Sequence, residues 1–170
     1  MNKYFKTAYQ FGLLGGVLCI LSFLAISFMQ EDPSNLNLIF GYLIVPISVF
    51  LAIKFYKEYS NETFLSFSEG MTIGFVTYLI LGLVSTLGIW IILIAQPELF
   101  QAIKESKLQV LMENRDTIVT QVGEESFQYT EQSIKKLSSW NVALNDGIWK
   151  IIPGLFFSII ISIILRKNKN

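Results

Sequence analysis

Uncharged apolar runs divide the chain. No charged residue occurs from Thr7 to Gln30, and Phe11 to Phe28 is nearly all apolar. The stretch from Pro33 to Ile53 is also uncharged, densest from Leu36 onward, and Gly70 to Pro97 forms a third run. A hydrocarbon core of about 30 Å is crossed by about 20 apolar residues in a helix, and these three runs meet that length. A fourth, Ile151 to Leu165, is short. It reaches span length if Gly147 to Lys150 join the helix and Lys150 snorkels its ammonium to the interface. Arg166, Lys167 and Lys169 follow at once, as a stop at the headgroups requires. The runs are continuous rather than alternating, which favours helices over membrane strands. The expected fold is all-α, a four-helix transmembrane bundle in one integral membrane domain over residues 1–170. Its spans fall at about 8–29, 36–55, 68–95 and 147–165, with three spans as the alternative count.

Between the third and fourth runs the pattern changes. Pro97 suits the first position of a new helix, and Leu99, Ile103, Val110, Leu111, Ile118 and Val122 recur at spacings near four and seven. Gly123 interrupts the pattern as a helix terminator would. Glu124 and Glu125 then open a second stretch and Lys135 and Lys136 close it, a charge order that complements a helix dipole. Phe127, Ile134 and Leu137 supply its apolar stripe. The segment 97–140 is therefore expected to be an extramembrane helical hairpin, either a solvated cap or a docking surface for a partner.

Basic residues near the span ends set the orientation. Lys3, Lys6, Lys54, Lys57, Arg166, Lys167 and Lys169 share one side, whereas the first short loop carries Glu31 and Asp32 and no basic residue. Both termini are therefore expected in the cytoplasm. The long 97–145 connection holds five basic residues on the other side, but also seven acidic ones, and long loops count little in this rule. Trp90, Trp140 and Trp149 then fall near the outer face, and Tyr4, Tyr9, Tyr56 and Tyr59 near the inner one. The first run is too long for a secretory signal and lacks a cleavage signature after Phe28, so it reads as an uncleaved anchor.

Composition narrows the function. Among 170 residues, 52% are hydrophobic and 15% charged, against about 25% charged in soluble domains. The balance of 13 basic and 13 acidic residues argues against nucleic acid as a partner. Histidine is absent, which removes the commonest general base and metal ligand. The lone Cys19 lies in an apolar run and has no internal disulfide partner; a buried thiol there is a small core residue first and a reactive group second. There is no Cys cluster, metal-ligand spacing or phosphate-binding loop. No catalytic residue, cofactor or metal site is expected, and the chain does not read as an enzyme.

Glu69 is the one acid this reading places beside a membrane core. Ser66-Phe67-Ser68-Glu69 has capping-box spacing, which would put the carboxylate at a helix start. The sharper alternative makes Glu69 a proton or ion site, since ionisable groups in membranes are often functional. Pro46 lies within the second span, where it removes one helix hydrogen bond. Gly12 and Gly16, Gly70 and Gly74, and Gly154, Ser158 and Ser162 form three stripes at four-residue spacing. Such stripes let helices approach closely, within one chain or between copies.

The Gly-bearing start of the first span (Phe11 to Gly16), the entry to the third (Phe64 to Gly70), the charged helical connection and the basic tail after Leu165 together resemble the DUF4199 family of small Bacteroidota membrane proteins. The resemblance covers nearly the whole chain. It implies residence in a bacterial inner membrane and no known activity. The expected role is a non-catalytic accessory, scaffold or interaction protein, embedded in the lipid bilayer and meeting either a second copy or a membrane or periplasmic protein. The alternative is a small carrier or ion-coupled channel using Glu69.

Overall fold

The computed structural model describes residues 3–28 and 33–168. Glu31, Asp32 and Lys169, used above in the orientation argument, lie outside the described residues. Seven helices follow in order: α1 (Lys3–Ser27), α2 (Pro33–Tyr59), α3 (Phe67–Ala95), α4 (Pro97–Glu113), α5 (Arg115–Val122), α6 (Glu124–Lys135) and α7 (Ser139–Leu165). Four of them, α1, α2 from Leu36, α3 and α7, are long and apolar enough to cross a membrane. The molecule is a four-helix membrane bundle with a helical hairpin between its third and fourth spans.

Helices α1, α2, α3 and α7 pack around a core of Ala8, Cys19, Val45, Val49, Ile53, Tyr56, Ile73, Tyr78 and Leu81. Apolar burial does not drive helices together inside lipid, so close approach has to do so. A Cβ on Gly12 would lie 2.7 Å from the Thr77 carbonyl oxygen, and one on Gly16 would lie 2.6 Å from Val84 Cβ, which places this stripe of α1 directly on α3. Gly70 and Gly74 face Ser162 and Ser158, whose hydroxyls stand 2.6 and 2.5 Å from where those Cβ atoms would be. Gly154 accepts the Tyr78 ring in the same way, at 2.5 Å. All three stripes are thus used between helices of one chain.

The fourth membrane helix differs from expectation. It begins at Ser139, eight residues before the expected 147, because Ser138 and Asn141 form a reciprocal cap. The Asn141 backbone N–H donates to Ser138 Oγ at 3.2 Å, and the Ser138 N–H donates to Asn141 Oδ1 at 3.0 Å. With 27 residues at about 1.5 Å each, α7 is long enough to cross without help from a snorkelling lysine. Helices α2 and α7 continue through Pro46 and Pro153.

The first arm of the hairpin breaks at Asn114 into α4 and α5, and Gly123, at φ +86°, turns the chain into α6. Arg115 closes the turn by donating to both oxygens of Glu124 at 3.0 and 2.9 Å. Ile103 of α4 is buried with Phe23, Ile89, Leu93, Val142 and Ala143, so α4 rests on one end of the bundle. At the other end, the terminal end, Leu65 and Lys167 exchange two backbone hydrogen bonds of 2.9 Å, fastening the tail to the α2–α3 loop.

The two kinds of glycine should respond differently. Gly154→Leu forces a side chain into the Tyr78 ring and should cost at least about 2 kcal/mol, as overpacking does. At Gly123 a Cβ meets nothing within 4 Å, so Gly123→Ala carries only the penalty of a side chain in a nearly glycine-only backbone conformation (φ 86°, ψ 160°), about 1–3 kcal/mol. Reversible unfolding in mixed micelles checks this; a Gly154→Leu protein as stable as the wild type would refute the packing assignment.

Candidate functional site

The helix start at Ser139 puts Asp146 two turns inside α7, about 10 Å from its beginning. Asp146 and Lys150 are one turn apart, the acid on the N-terminal side, and form an ion pair within α7. Lys150 does not snorkel: it is 0% exposed, and Asp146 is 4% exposed. The aliphatic stem of Lys150 lies against Gly41 of α2, where a Cβ would approach Lys150 Cε to 2.8 Å.

Three other helices complete the cluster. From α3, Ser85 Oγ donates to Asp146 Oδ2 at 3.0 Å and accepts from Lys150 Nζ at 2.9 Å. From α2, Asn37 Nδ2 donates to Asp146 Oδ1 at 2.8 Å. From α1, Ser22 Oγ donates to Asn37 Oδ1 at 2.6 Å. Every membrane helix contributes a polar side chain to one buried network. A lone buried charge would cost several kcal/mol; here both carboxylate oxygens and the ammonium have partners.

The network borders a cavity of about 340 Å³ at the hairpin end, lined by Phe23, Ile89, Lys107, Leu137, Asn141, Val142, Asn145 and Asp146. Its walls are apolar apart from two amides and the charged groups.

Glu69, the acid singled out in the sequence, occupies a different place. It completes the capping box that starts α3: its backbone N–H donates to Ser66 Oγ at 3.2 Å, and its Oε2 accepts from the Ser66 N–H at 2.8 Å. Tyr4 of α1 and Tyr56 of α2 donate to Oε1 at 3.3 and 3.4 Å, and Asn61 Nδ2 lies 3.3 Å from the same oxygen. Glu69 thus ties three helices at the terminal end, and the structure does not bring it near Asp146 or Lys150. Cys19 is fully buried. Ser158 donates to the Gly154 carbonyl at 2.8 Å. Ser162 Oγ, packed on Gly70, is the buried side-chain atom without a hydrogen-bond partner among the described residues.

The sequence reading missed Asp146. The signal was present as Asp146-x-x-x-Lys150, but it stood at the edge of an apolar run and read as the boundary of the span. The Ser138–Asn141 cap, a weaker variant of Ser-x-x-Glu, was the feature that could have moved the boundary.

This arrangement, four apolar helices with a charged hairpin before the last, coincides in extent with one known family. The profile of the family described as "Protein of unknown function (DUF4199)" matches residues 10–167. The chain belongs to the DUF4199 family. The match spans all four membrane helices and the hairpin, so the buried Asp146–Lys150 pair lies within the family region. No curated protein and no solved structure matches the chain.

Neutralising either member of the pair should be costly. Asp146→Asn or Lys150→Met alone strands a buried charge and should lower stability by about 3 kcal/mol or more. The double variant Asp146→Asn/Lys150→Met strands none and should recover most of that loss. Unfolding free energies of the four proteins in mixed micelles measure the coupling; simple additivity would mean the pair is not a unit.

Proposed function

We propose that this chain is a non-catalytic accessory or scaffold protein of a bacterial inner membrane, its termini in the cytoplasm and its hairpin presented to a protein partner on the other side. The observation that carries this reading is a groove of about 490 Å³ lined by residues of α4, α5 and α6, among them Val110, Leu111, Ile118 and Ile134. It lies outside the spans, yet its lining is substantially apolar and Val110 is 54% exposed. A concave apolar surface with a few polar groups, Asn114 and Thr117 here, is the usual form of a recognition site.

Two further features support the reading. The hairpin is held firmly rather than tethered: Ile103 is buried against the bundle, and Lys104 donates to the Lys135 carbonyl at 2.9 Å, joining α4 to the end of α6. A preorganised surface loses less entropy on binding. The orientation rests on charge: Lys3, Lys6, Lys54, Lys57, Arg166 and Lys167 all lie at the terminal end, as the positive-inside tendency favours. The carrier alternative required Glu69 as an ion site, whereas its carboxylate closes a helix cap and takes tyrosine hydroxyls.

A photo-crosslinking side chain placed at Val110 should capture one discrete adduct in intact membranes, whose mass separates a second copy from a different protein. Val110→Asp with Ile118→Asp should abolish capture by a probe at Thr117 while leaving the bundle folded. A Val110 probe that gives only lipid adducts or a diffuse smear would sink the docking role. Labelling of single cysteines at Ser60 and Ser126, in a Cys19→Ser background, should mark only Ser126 from outside the cell.

A further inference from the structure

The terminal end of the bundle has a cavity of its own. It measures about 320 Å³ and is lined by Asn61, Phe64, Ser66, Glu69, Lys167 and Asn168. These residues come from the α2–α3 loop, the first turn of α3 and the tail after α7, so the cavity lies where three spans end. Lipid headgroups occupy that level of a bilayer. Between two of the lining residues, Glu62 and Thr63 hold φ of 51° and 67°, a region that a β-branched residue such as Thr63 rarely enters. The strained loop is pinned from both sides: Leu65 and Lys167 share their two backbone hydrogen bonds, and Asn61 Nδ2 donates to the Phe64 carbonyl at 2.9 Å.

Glu69 and Lys167 bring one charge of each sign to this cavity, and the two do not meet. Lys167 Nζ lies 3.5 Å from Thr63 Oγ1 and 5.6 Å from the centre of the Phe64 ring. Among the described residues no cation is within ion-pairing distance of Glu69. Its two oxygens are also used unequally. Oε2 completes the helix cap, taking the Ser66 N–H and hydroxyl at 2.8 and 2.9 Å. Oε1 has only long contacts from neutral donors, Tyr4 at 3.3 Å, Tyr56 at 3.4 Å and Asn61 at 3.3 Å. A charge-assisted bond would be about 2.7–2.9 Å and roughly twice as strong. The cavity thus separates an anion that lacks a cation from a cation that lacks an anion.

We propose that this cavity binds the headgroup of phosphatidylethanolamine, its ammonium on Glu69 Oε1 and its phosphate on Lys167. Arg166 Nε donates to Asn168 Oδ1 at 3.2 Å, which leaves the Asn168 amide N–H groups to the same phosphate. The ligand must carry both charges a short distance apart, as ethanolamine phosphate does. A lipid is favoured over a free zwitterion by the apolar side chains beside the cavity. Phe67, next to Ser66, and Ile163 and Ile164, in the last turn of α7, are all exposed and offer the acyl chains a surface. Phosphatidylglycerol supplies no ammonium and leaves Glu69 without a cation. Phosphatidylcholine has a quaternary ammonium with no N–H to donate. This proposal rests neither on the docking reading nor on the orientation of the chain.

Native mass spectrometry of the protein in detergent micelles tests it, with phosphatidylethanolamine, phosphatidylcholine or phosphatidylglycerol of identical acyl chains added in turn. Phosphatidylethanolamine should be retained about tenfold more than either of the others, as expected for one hydrogen bond to a charged group. Lys167→Gln, which keeps both backbone hydrogen bonds to Leu65, should lower that retention by about tenfold. Lys54→Gln, at the same end but outside the cavity, should leave it unchanged. Glu69→Gln should erase the preference over phosphatidylcholine; should it fail to fold, the two lysine variants decide the matter. Equal retention of all three lipids, unchanged retention in Lys167→Gln, an equal loss in Lys54→Gln, or a preference that survives Glu69→Gln would each overturn the assignment. Displacement of the lipid by an equal concentration of soluble phosphoethanolamine would overturn it too, in favour of a free zwitterion.

Discussion

The ion pair of Asp146 with Lys150 constrains the rest of the bundle, because a hydrocarbon core supplies no water to either charge. Their mutual attraction within α7 does not suffice; each remaining lone pair and proton needs a partner from elsewhere. Those partners are Asn37 of α2 and Ser85 of α3, and Ser22 of α1 in turn holds Asn37, so the positions of all three helices relative to α7 are tied to one carboxylate. Gly41 belongs to the same constraint. Any side chain there would displace the Lys150 stem and with it the ammonium from Ser85 and Asp146.

Two carboxylates of the bundle, Glu69 and Asp146, show how environment separates roles for one functional group. Glu69 stands at a helix start and accepts from a backbone N–H, a serine and two tyrosines. Its charge is balanced by dipoles, including that of the helix it caps. Asp146 lies within a helix, where the backbone N–H groups are already used, and its charge is balanced by a cation. The tie at the terminal end is hence neutral-to-anion and joins three helices, whereas at the hairpin end an anion–cation pair within α7 draws in the other three helices through hydrogen bonds. Between them the small-residue stripes bring α1 onto α3 and α3 onto α7 without polar groups having to reach across.

Much of this was legible in the sequence where a single local rule governs. Hydropathy located the membrane helices, and the capping-box spacing at Ser66 and Glu69 corresponds to the cap observed. The hairpin followed from Pro97, Gly123 and the charge order around them, although the break at Asn114 carries no such marker. Reasoning failed where two local signals competed at one boundary. A lysine at the edge of an apolar run normally ends it, and Lys150 was assigned to the interface on that ground. The cap at Ser138 wins because it extends the helix upstream, and the charge is then covered by a partner one turn away and by three side chains from distant parts of the chain. Ser22, Asn37 and Ser85 are separated from Asp146 by 61 to more than 100 residues, and nothing local in them signals a shared destination.

The groove and the cavity meet at α4. Lys107 lines both of them, and Ile103, one turn before it, is buried on the bundle with Phe23, Ile89 and Val142. One face of this helix therefore borders the groove while another roofs the cavity that Asp146 lines. Interfaces and cores of this kind shift between discrete arrangements rather than deforming smoothly. A shift of α4 would therefore change the groove and the cavity bordered by Asp146 together. The hairpin is thereby more than an appendage of the bundle: its first helix lines both the groove and the cavity that borders the single buried ion pair among the described residues.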